Sequence, residues 1–218
     1  MDPSEIEVLE CFEAVRRRPA MYCGGGNAAQ QQVSVVKQLV EAAIHPLSAN
    51  RASRLTLTHF AAQNAVGLAD DGVGLPVDPW KHDRPFQHSR LEIGLLTLGC
   101  GGPFGPTDAQ IEQMNATHGF IVGIGTVASA LGERLRLWTV RDGIGYNIGL
   151  SRGGIVELLH AAKGPFEKGT AIYWQPDSLI FGDARFNPET LRQVCNSLAP
   201  QNPSVALEFA SEPKCRWY

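Results

Sequence analysis

Asp70-Asp71-Gly72-Val73-Gly74-Leu75-Pro76 is the stretch on which the reading of this chain turns. Two strand-like runs precede it, Arg54 to Phe60 and Ala65 to Ala69. The link between them, Ala61-Ala62-Gln63-Asn64, is short enough for an antiparallel hairpin. The second run leads directly into the acidic pair, so Asp70 falls at a strand end. Two glycines then let the backbone turn tightly against a flat ligand. On its own a D-D-G-x-G sequence is equally well a solvated turn, and its neighbours must decide.

Upstream, Asp2-Pro3 with Glu5 has the form of an N-cap, an N1 proline and a first-turn carboxylate, and opens a helix through Ile6, Leu9 and Phe12 that ends near Arg18-Pro19. Val35, Val36, Leu39, Val40 and Ala43 lie on one helical stripe bounded by Pro46, with Gln38 and Ala42 four apart beside it. Downstream, Leu91 to Leu98 reads as a short helix. Residues 99–119 carry five glycines and two prolines and have the composition of a long functional loop. Thr126 to Leu131 is a small-residue helix. Strands follow near 135–140, 146–150, 155–160 and 171–174, the first two joined at Arg141-Asp142-Gly143. Asn187-Pro188-Glu189 starts an amphipathic helix through Leu191, Val194, Cys195 and Leu198, and Val205 to Phe209 closes with a strand. Helices early and strands late, without an internal repeat, predict an α/β two-layer sandwich with a mostly antiparallel sheet.

Composition narrows the function classes. The chain has 218 residues, 44% hydrophobic and 19% charged, with net charge −3. At this size folding buries roughly 70% of the surface of the unfolded chain, so neither disulfide nor metal is required for a core. The charge balance lacks the broad basic footprint of a protein that grips duplex DNA, so no direct nucleic-acid binding is expected. The run Arg16-Arg17-Arg18 reads as a helix end and scaffold. Five scattered cysteines, none spaced C-x-x-C, suit reduced packing thiols. The longest uncharged run, between Glu112 and Glu133, is too polar to span a bilayer, and the acidic N-terminus has no apolar leader. The expectation is a cytoplasmic protein without membrane contact. The histidines show no metal-ligand spacing.

The sixteen residues Leu9-Glu10-Cys11-Phe12-Glu13-Ala14-Val15-Arg16-Arg17-Arg18-Pro19-Ala20-Met21-Tyr22-Cys23-Gly24 resemble the opening signature of the ATPase domain of gyrase B and topoisomerase IV, in the GHKL superfamily. The resemblance continues in order through Asp70 to Pro76, Leu95-Leu96-Thr97-Leu98 with Gly101-Gly102, and Gly123-Ile124-Gly125. It then takes in Val140-Arg141-Asp142-Gly143, Lys168-Gly169-Thr170, Trp174 to Asp177 and Phe186 to Leu198, and so nearly the whole chain. It implies the Bergerat ATP-binding fold, a single domain over 1–218 with a flexible lid at about 99–119, and ATP or ADP as ligand. By the resemblance, Asp70 accepts the adenine amino group and Thr170 assists through a water. Gly72 and Gly74 line the base pocket, and Gly119, Gly123 and Gly125 belong to the phosphate loop.

The same resemblance exposes departures. The helix at 35–43 carries the family's glutamate general base and its Mg²⁺-binding asparagine one turn apart. Here those positions hold Gln38 and Ala42. Glutamine accepts no proton at neutral pH, and alanine offers no oxygen to Mg²⁺. Glu41 is the candidate substitute base, and His45 a second. The phosphate loop, Thr117 to Gly125, is about three residues longer than the family pattern. Pro103 replaces a lid lysine and Val73 a pocket-mouth arginine. The family's transducer domain, with its γ-phosphate lysine, and most of its dimerising N-terminal arm are expected to be missing. The implied protein binds an adenine nucleotide with doubtful Mg²⁺, hydrolyses it poorly, and acts as a regulatory or binding module, monomeric or weakly dimeric, for which a gyrase-like protein is one possible partner. An active topoisomerase ATPase module and an interaction module that binds no nucleotide stay open.

Overall fold

The hairpin expected before the acidic pair is present, as β1 (Arg54–Phe60) and β2 (Ala65–Asp70), antiparallel with Leu55 opposite Asp70. The computed structural model describes residues 11–44, 52–79, 89–96, 124–164, 166–212 and 217. The expected helix start at Asp2 and the 99–119 lid lie outside them, as do Gly119, Gly123 and His45.

Four further strands follow: β3 (Gly132–Arg141), β4 (Ile144–Ser151) and β5 (Gly154–Ala161) in a meander, then β6 (Gly169–Pro176), which returns beside β3. The β3–β4 turn places Asp142 and Gly143 at φ 53° and 77°. Both central residues of a two-residue hairpin loop need that left-handed conformation, which Asp tolerates and Gly adopts freely. β7 (Ala206–Glu212) lies beside β1. Among the described residues the sheet order is β5-β4-β3-β6-β2-β1-β7, antiparallel throughout except for the parallel β1–β7 pair. The result is a mixed sheet, as the α/β sandwich reading requires. The parallel pairing follows from the crossover through helix between β6 and β7.

Side-chain alternation then assigns the faces. Leu55, Leu57, Val66, Leu68, Leu135, Leu137, Ile172 and Trp174 point to one side, into the main core. That side carries α3 (Ala28–Ile44), α4 (Arg90–Leu96), α5 (Ile124–Leu131) and α7 (Pro188–Leu198). The stripe expected on α3 is the buried one, and Asn187 caps α7 through its side chain, which accepts the Glu189 and Thr190 N–H groups. The opposite side of the sheet holds a smaller aromatic cluster of Phe60, Ala65, Trp138, Ala171 and Tyr173 with Phe166 and Trp217 against it. No described helix is long and apolar enough to cross a membrane.

One buried carboxylate ties the helical layer to the sheet. α1 (Cys11–Arg17) ends at the predicted point, and a short α2 (Pro19–Cys23) follows it that periodicity does not reveal. Arg16 of α1 donates from Nη2 to Asp177 Oδ2 at 2.7 Å and from Nη1 to the Ala130 carbonyl at 2.7 Å, which satisfies an open acceptor at the end of α5. Arg152, in the β4–β5 turn, donates from Nε to the same Asp177 oxygen at 2.9 Å. Asp177, with no exposed side-chain surface, also caps the one-turn α6 (Ser178–Phe181). Burial works against its charge, but the Arg152 and Arg16 hydrogen bonds and the Leu179 N–H outweigh that and hold the carboxyl below its usual range. The scaffold reading of Arg16 is therefore what the structure displays, while Arg17 pairs with Glu13 on the surface.

Removing the carboxylate would leave two guanidinium groups facing a buried void. Asp177→Ala is expected to lower unfolding free energy by roughly 2–4 kcal/mol, and Asp177→Asn by less because the cap acceptor survives. Urea denaturation at neutral pH measures this, and an unchanged midpoint for Asp177→Ala would contradict it.

Candidate functional site

The adjacent aspartates at the end of β2 diverge because successive residues of a strand face opposite ways. Asp70 has the parity of Val66 and Leu68 and so faces the helical layer. Its Oδ1 accepts the Gly72 N–H at 2.9 Å and the Thr170 N–H at 3.0 Å. The first bond is an Asx turn, in which the side chain substitutes for a backbone acceptor two residues on. The second ties the turn to the start of β6. Asp71 instead closes the beginning of β1. It accepts the Ser53 and Arg54 N–H groups, each at 2.8 Å, and the Ser53 hydroxyl at 2.7 Å. Lys168 Nζ stands 3.7 Å away. Burial alone would raise the Asp71 pKa, but the Ser53 hydroxyl, the Arg54 and Ser53 N–H groups and the Lys168 charge bring it down to about 2.

Thr170 sits 4% exposed on the same face as Asp70. Its hydroxyl is 3.1 Å from that of Thr139, its partner across β3–β6. The Thr139 oxygen also accepts the Leu75 N–H at 2.7 Å. Two buried hydroxyls and a carboxylate therefore converge at the ends of three neighbouring strands. Two glycines make the approach possible. Gly74, at φ 81°, lies so close to the Val140 carbonyl that a Cβ could not be placed there, and Gly169, at φ 85°, is pressed in the same way against the Asp70 carbonyl. Arg141 Nη1 donates to the Gly74 carbonyl at 3.1 Å. Sequence reasoning misses Thr139 and Ser53. Thr139 emerges only from strand register, and Ser53 only once Asp71 is seen to turn back to β1.

The other expected site residues make none of these hydrogen bonds. Gly125 is buried in α5, where the neighbouring Thr126 hydroxyl donates to the Gly94 carbonyl at 3.1 Å. Val73 is exposed on the turn. On α3, the Gln38 amide donates to the Ser34 hydroxyl at 3.3 Å and the Tyr22 carbonyl at 3.5 Å. Ala42 packs against the core, and Glu41 pairs with Lys37 at 3.6 Å, with 44% of its side chain exposed. Pro103, His118, Gly119 and Gly123 lie outside the described residues.

The chain is similar to known proteins along most of its length. No protein-family model matches the chain. It is 32% identical over 211 residues to the B subunit of DNA topoisomerase 4 from Rickettsia bellii, covering 95% of this chain and 30% of that protein. It is also 32% identical over 213 residues to the B subunit of the mitochondrial DNA gyrase from Arabidopsis thaliana, covering 95% and 28%. The crystal structure of the 43K ATPase domain of Thermus thermophilus gyrase B, in complex with an aminocoumarin, superposes with TM-score 0.72 at 25% identity over 93% of this chain and 49% of the other. The chain belongs to the gyrase B and topoisomerase IV B family. Its architecture is that of the gyrase B ATPase domain, the GHKL α/β sandwich. It spans less than a third of the length of the topoisomerase and gyrase relatives named above.

Within this gyrase-B-like fold the Asp71 clamp is the part whose energetics follow from local groups alone. Because its folded pKa is depressed, Asp71 contributes stability above its unfolded value near 3.8 and loses it as pH falls toward about 2. Asp71→Asn is expected to cost roughly 1–2 kcal/mol at pH 7 and to flatten the acid limb of the stability curve. Urea midpoints collected from pH 6 to pH 2 test this. Parallel pH profiles for parent and variant would contradict it.

Proposed function

We propose that this chain is an adenine-nucleotide-binding module, with the base seated against Asp70 and Thr170. The observation that carries the reading is the double tether of Asp70 Oδ1 by the Gly72 and Thr170 N–H groups. A carboxylate held by two backbone donors keeps a fixed plane, so it can accept an exocyclic amine in one orientation without an ordering cost at binding. Adenine offers that donor at its six-position, and guanine offers an acceptor, which would face a negative charge. The buried Thr139–Thr170 hydroxyl pair supplies donors and acceptors beside it, and the family's nucleotide-binding architecture supports the same assignment.

Hydrolysis is proposed to be slow or missing. Gln38, at the position where the family carries its general base, has no proton-accepting carboxylate, and loss of a placed base typically costs ~10²–10⁴-fold in rate. Its amide nitrogen is turned to Ser34 and Tyr22. Ala42 presents a methyl group toward the core where Mg²⁺ would need an oxygen, so these α3 residues do not fit that cation. Glu41, paired with Lys37, is the candidate to replace the base. The role that remains is a nucleotide-dependent binding or regulatory one.

Calorimetry with ADP and GDP tests the site. The parent should bind ADP and reject GDP. Asp70→Asn, whose carbonyl can still close the Asx turn, should weaken ADP at least tenfold, as loss of a charge-assisted bond implies. Equal binding of ADP by parent and variant, or of GDP and ADP by the parent, would refute the assignment.

Phosphate release tests the chemistry. The parent should stay at background, Gln38→Glu alone should recover little, and Gln38→Glu with Ala42→Asn should do better because the two groups act on one transition state. Robust turnover by the unmodified chain, abolished by Glu41→Gln, would show instead that Glu41 is the base.

A further inference from the structure

We propose that Trp217 is a positioning residue for the Asp70–Thr170 turn, acting through the sheet from the face opposite the helical layer. The proposal builds on the nucleotide reading above but can fail separately from it.

The seat of the indole is made by a missing side chain. Gly67 faces the aromatic side of β2, and a Cβ there would overlap Cη2 and Cζ3 of the Trp217 ring and press on Phe60. Glycine is therefore required for the ring to lie on the strand. Three aromatic rings then meet the indole edge to face: Phe60 at 5.3 Å, Phe166 at 5.3 Å and Trp138 at 6.4 Å between centroids. Such perpendicular contacts fix orientation as well as separation.

Two of those rings lead directly to the candidate site. Trp138 immediately precedes Thr139, whose hydroxyl meets Thr170 and takes the Leu75 N–H. Phe166 belongs to the connection that enters β6. Within it Lys168 faces Asp71, Gly169 presses on the Asp70 carbonyl, and the Thr170 N–H donates to Asp70 Oδ1. Gly164, at the other end of this connection, packs against the Trp138 ring. The indole thus touches the strand residue before Thr139 and the segment that delivers Thr170. Without it, the groove over Gly67 has no β2 side chain to fill it, and Phe166 loses the ring it packs against shortly before Lys168, Gly169 and Thr170 reach the Asp70–Asp71 turn. Packed interiors transmit such gaps because neighbouring groups collapse only partially.

Amide hydrogen exchange without ligand, on the full chain, reads the effect where it should occur. Thr170 and Gly72 are the reporters because their N–H groups bind Asp70. In Trp217→Ala, exchange at both should rise roughly tenfold while amides of α7, packed on the other face, keep their protection, and Trp217→Phe should restore most of it. ADP affinity in Trp217→Ala should fall roughly five- to tenfold, with the Phe variant between. Unchanged exchange at Thr170 and Gly72 would overturn the proposal, as would a uniform rise that includes α7, which marks a merely structural residue. Local exchange that rises while ADP affinity stays constant would overturn the link to the ligand. If the parent binds no ADP yet the local exchange pattern appears, the nucleotide reading fails and the coupling of Trp217 to the turn stands. Should Trp217→Ala not fold, the Trp217→Phe variant carries the same comparison at smaller amplitude.

Discussion

The interaction on which the candidate site depends is the bridge made by one oxygen of Asp70. It closes the turn through Gly72 and crosses to the Thr170 N–H on β6. β2 and β6 are neighbours in the sheet, so the carboxylate links the end of one strand to the beginning of the next at the edge of their ladder. An unpaired N–H at either place would cost about as much as a lost buried hydrogen bond, so the aspartate has a structural task whether or not a ligand is bound. The turn needs glycine at 74 and 169 for a separate, steric reason. Gly169 is pressed against the Asp70 carbonyl and Gly74 against the Val140 carbonyl of β3, each too close for a Cβ.

Rigidity of this corner is supplied from both layers. On the helical side, Trp174 of β6 donates its indole N–H to the Ala128 carbonyl at 2.9 Å, which locks the strand to α5. Asp177 then gathers Arg16, Arg152 and the start of α6 where β6 ends. On the other side the aromatic cluster packs the same strand through Ala171 and Tyr173. β6 is therefore held at both ends and on both faces, and Thr170 inherits a fixed position. The helix α3, by contrast, carries no acidic group at Gln38 or Ala42. Gln38 commits its amide nitrogen to neighbouring groups, and Ala42 contributes packing. The proposed binding groups thus lie on the sheet, and Gln38 and Ala42 lie on a separate helix, so the two proposals can be tested apart.

Much of this fold is legible in the sequence, for identifiable reasons. The β1–β2 hairpin, the Asp142-Gly143 turn and the Asn187 cap each rest on local rules that act within a few residues. Alternation marks the strands but not their order, and the parallel β1–β7 pair comes from a crossover that local sequence does not encode. α2 and α6 are one turn or little more, too short to display a helical period. The resemblance pairs Asp70 with Thr170, and the Thr170 N–H does meet Asp70 Oδ1. Thr139 is not legible, since a threonine within a strand signals nothing until its partner across the ladder is known. The Asp177 network joins Arg16 to a carboxylate on the far side of the chain, which no spacing rule connects. Trp217 gains meaning only from Gly67, whose missing side chain leaves space that sequence cannot display. Gly119 and Gly123, expected from the resemblance to serve a phosphate loop, fall outside the described residues.

The central claim is that the tethered Asp70 carboxylate reads an adenine base. A crystal structure of the chain grown with ADP addresses it most directly. The expected result is an ordered base on the helical side of the sheet, its amino group within hydrogen-bonding distance of the Asp70 carboxylate and the Thr170 hydroxyl on the same edge. A nucleotide bound elsewhere, or a base that turns a different edge toward Asp70, would contradict the claim.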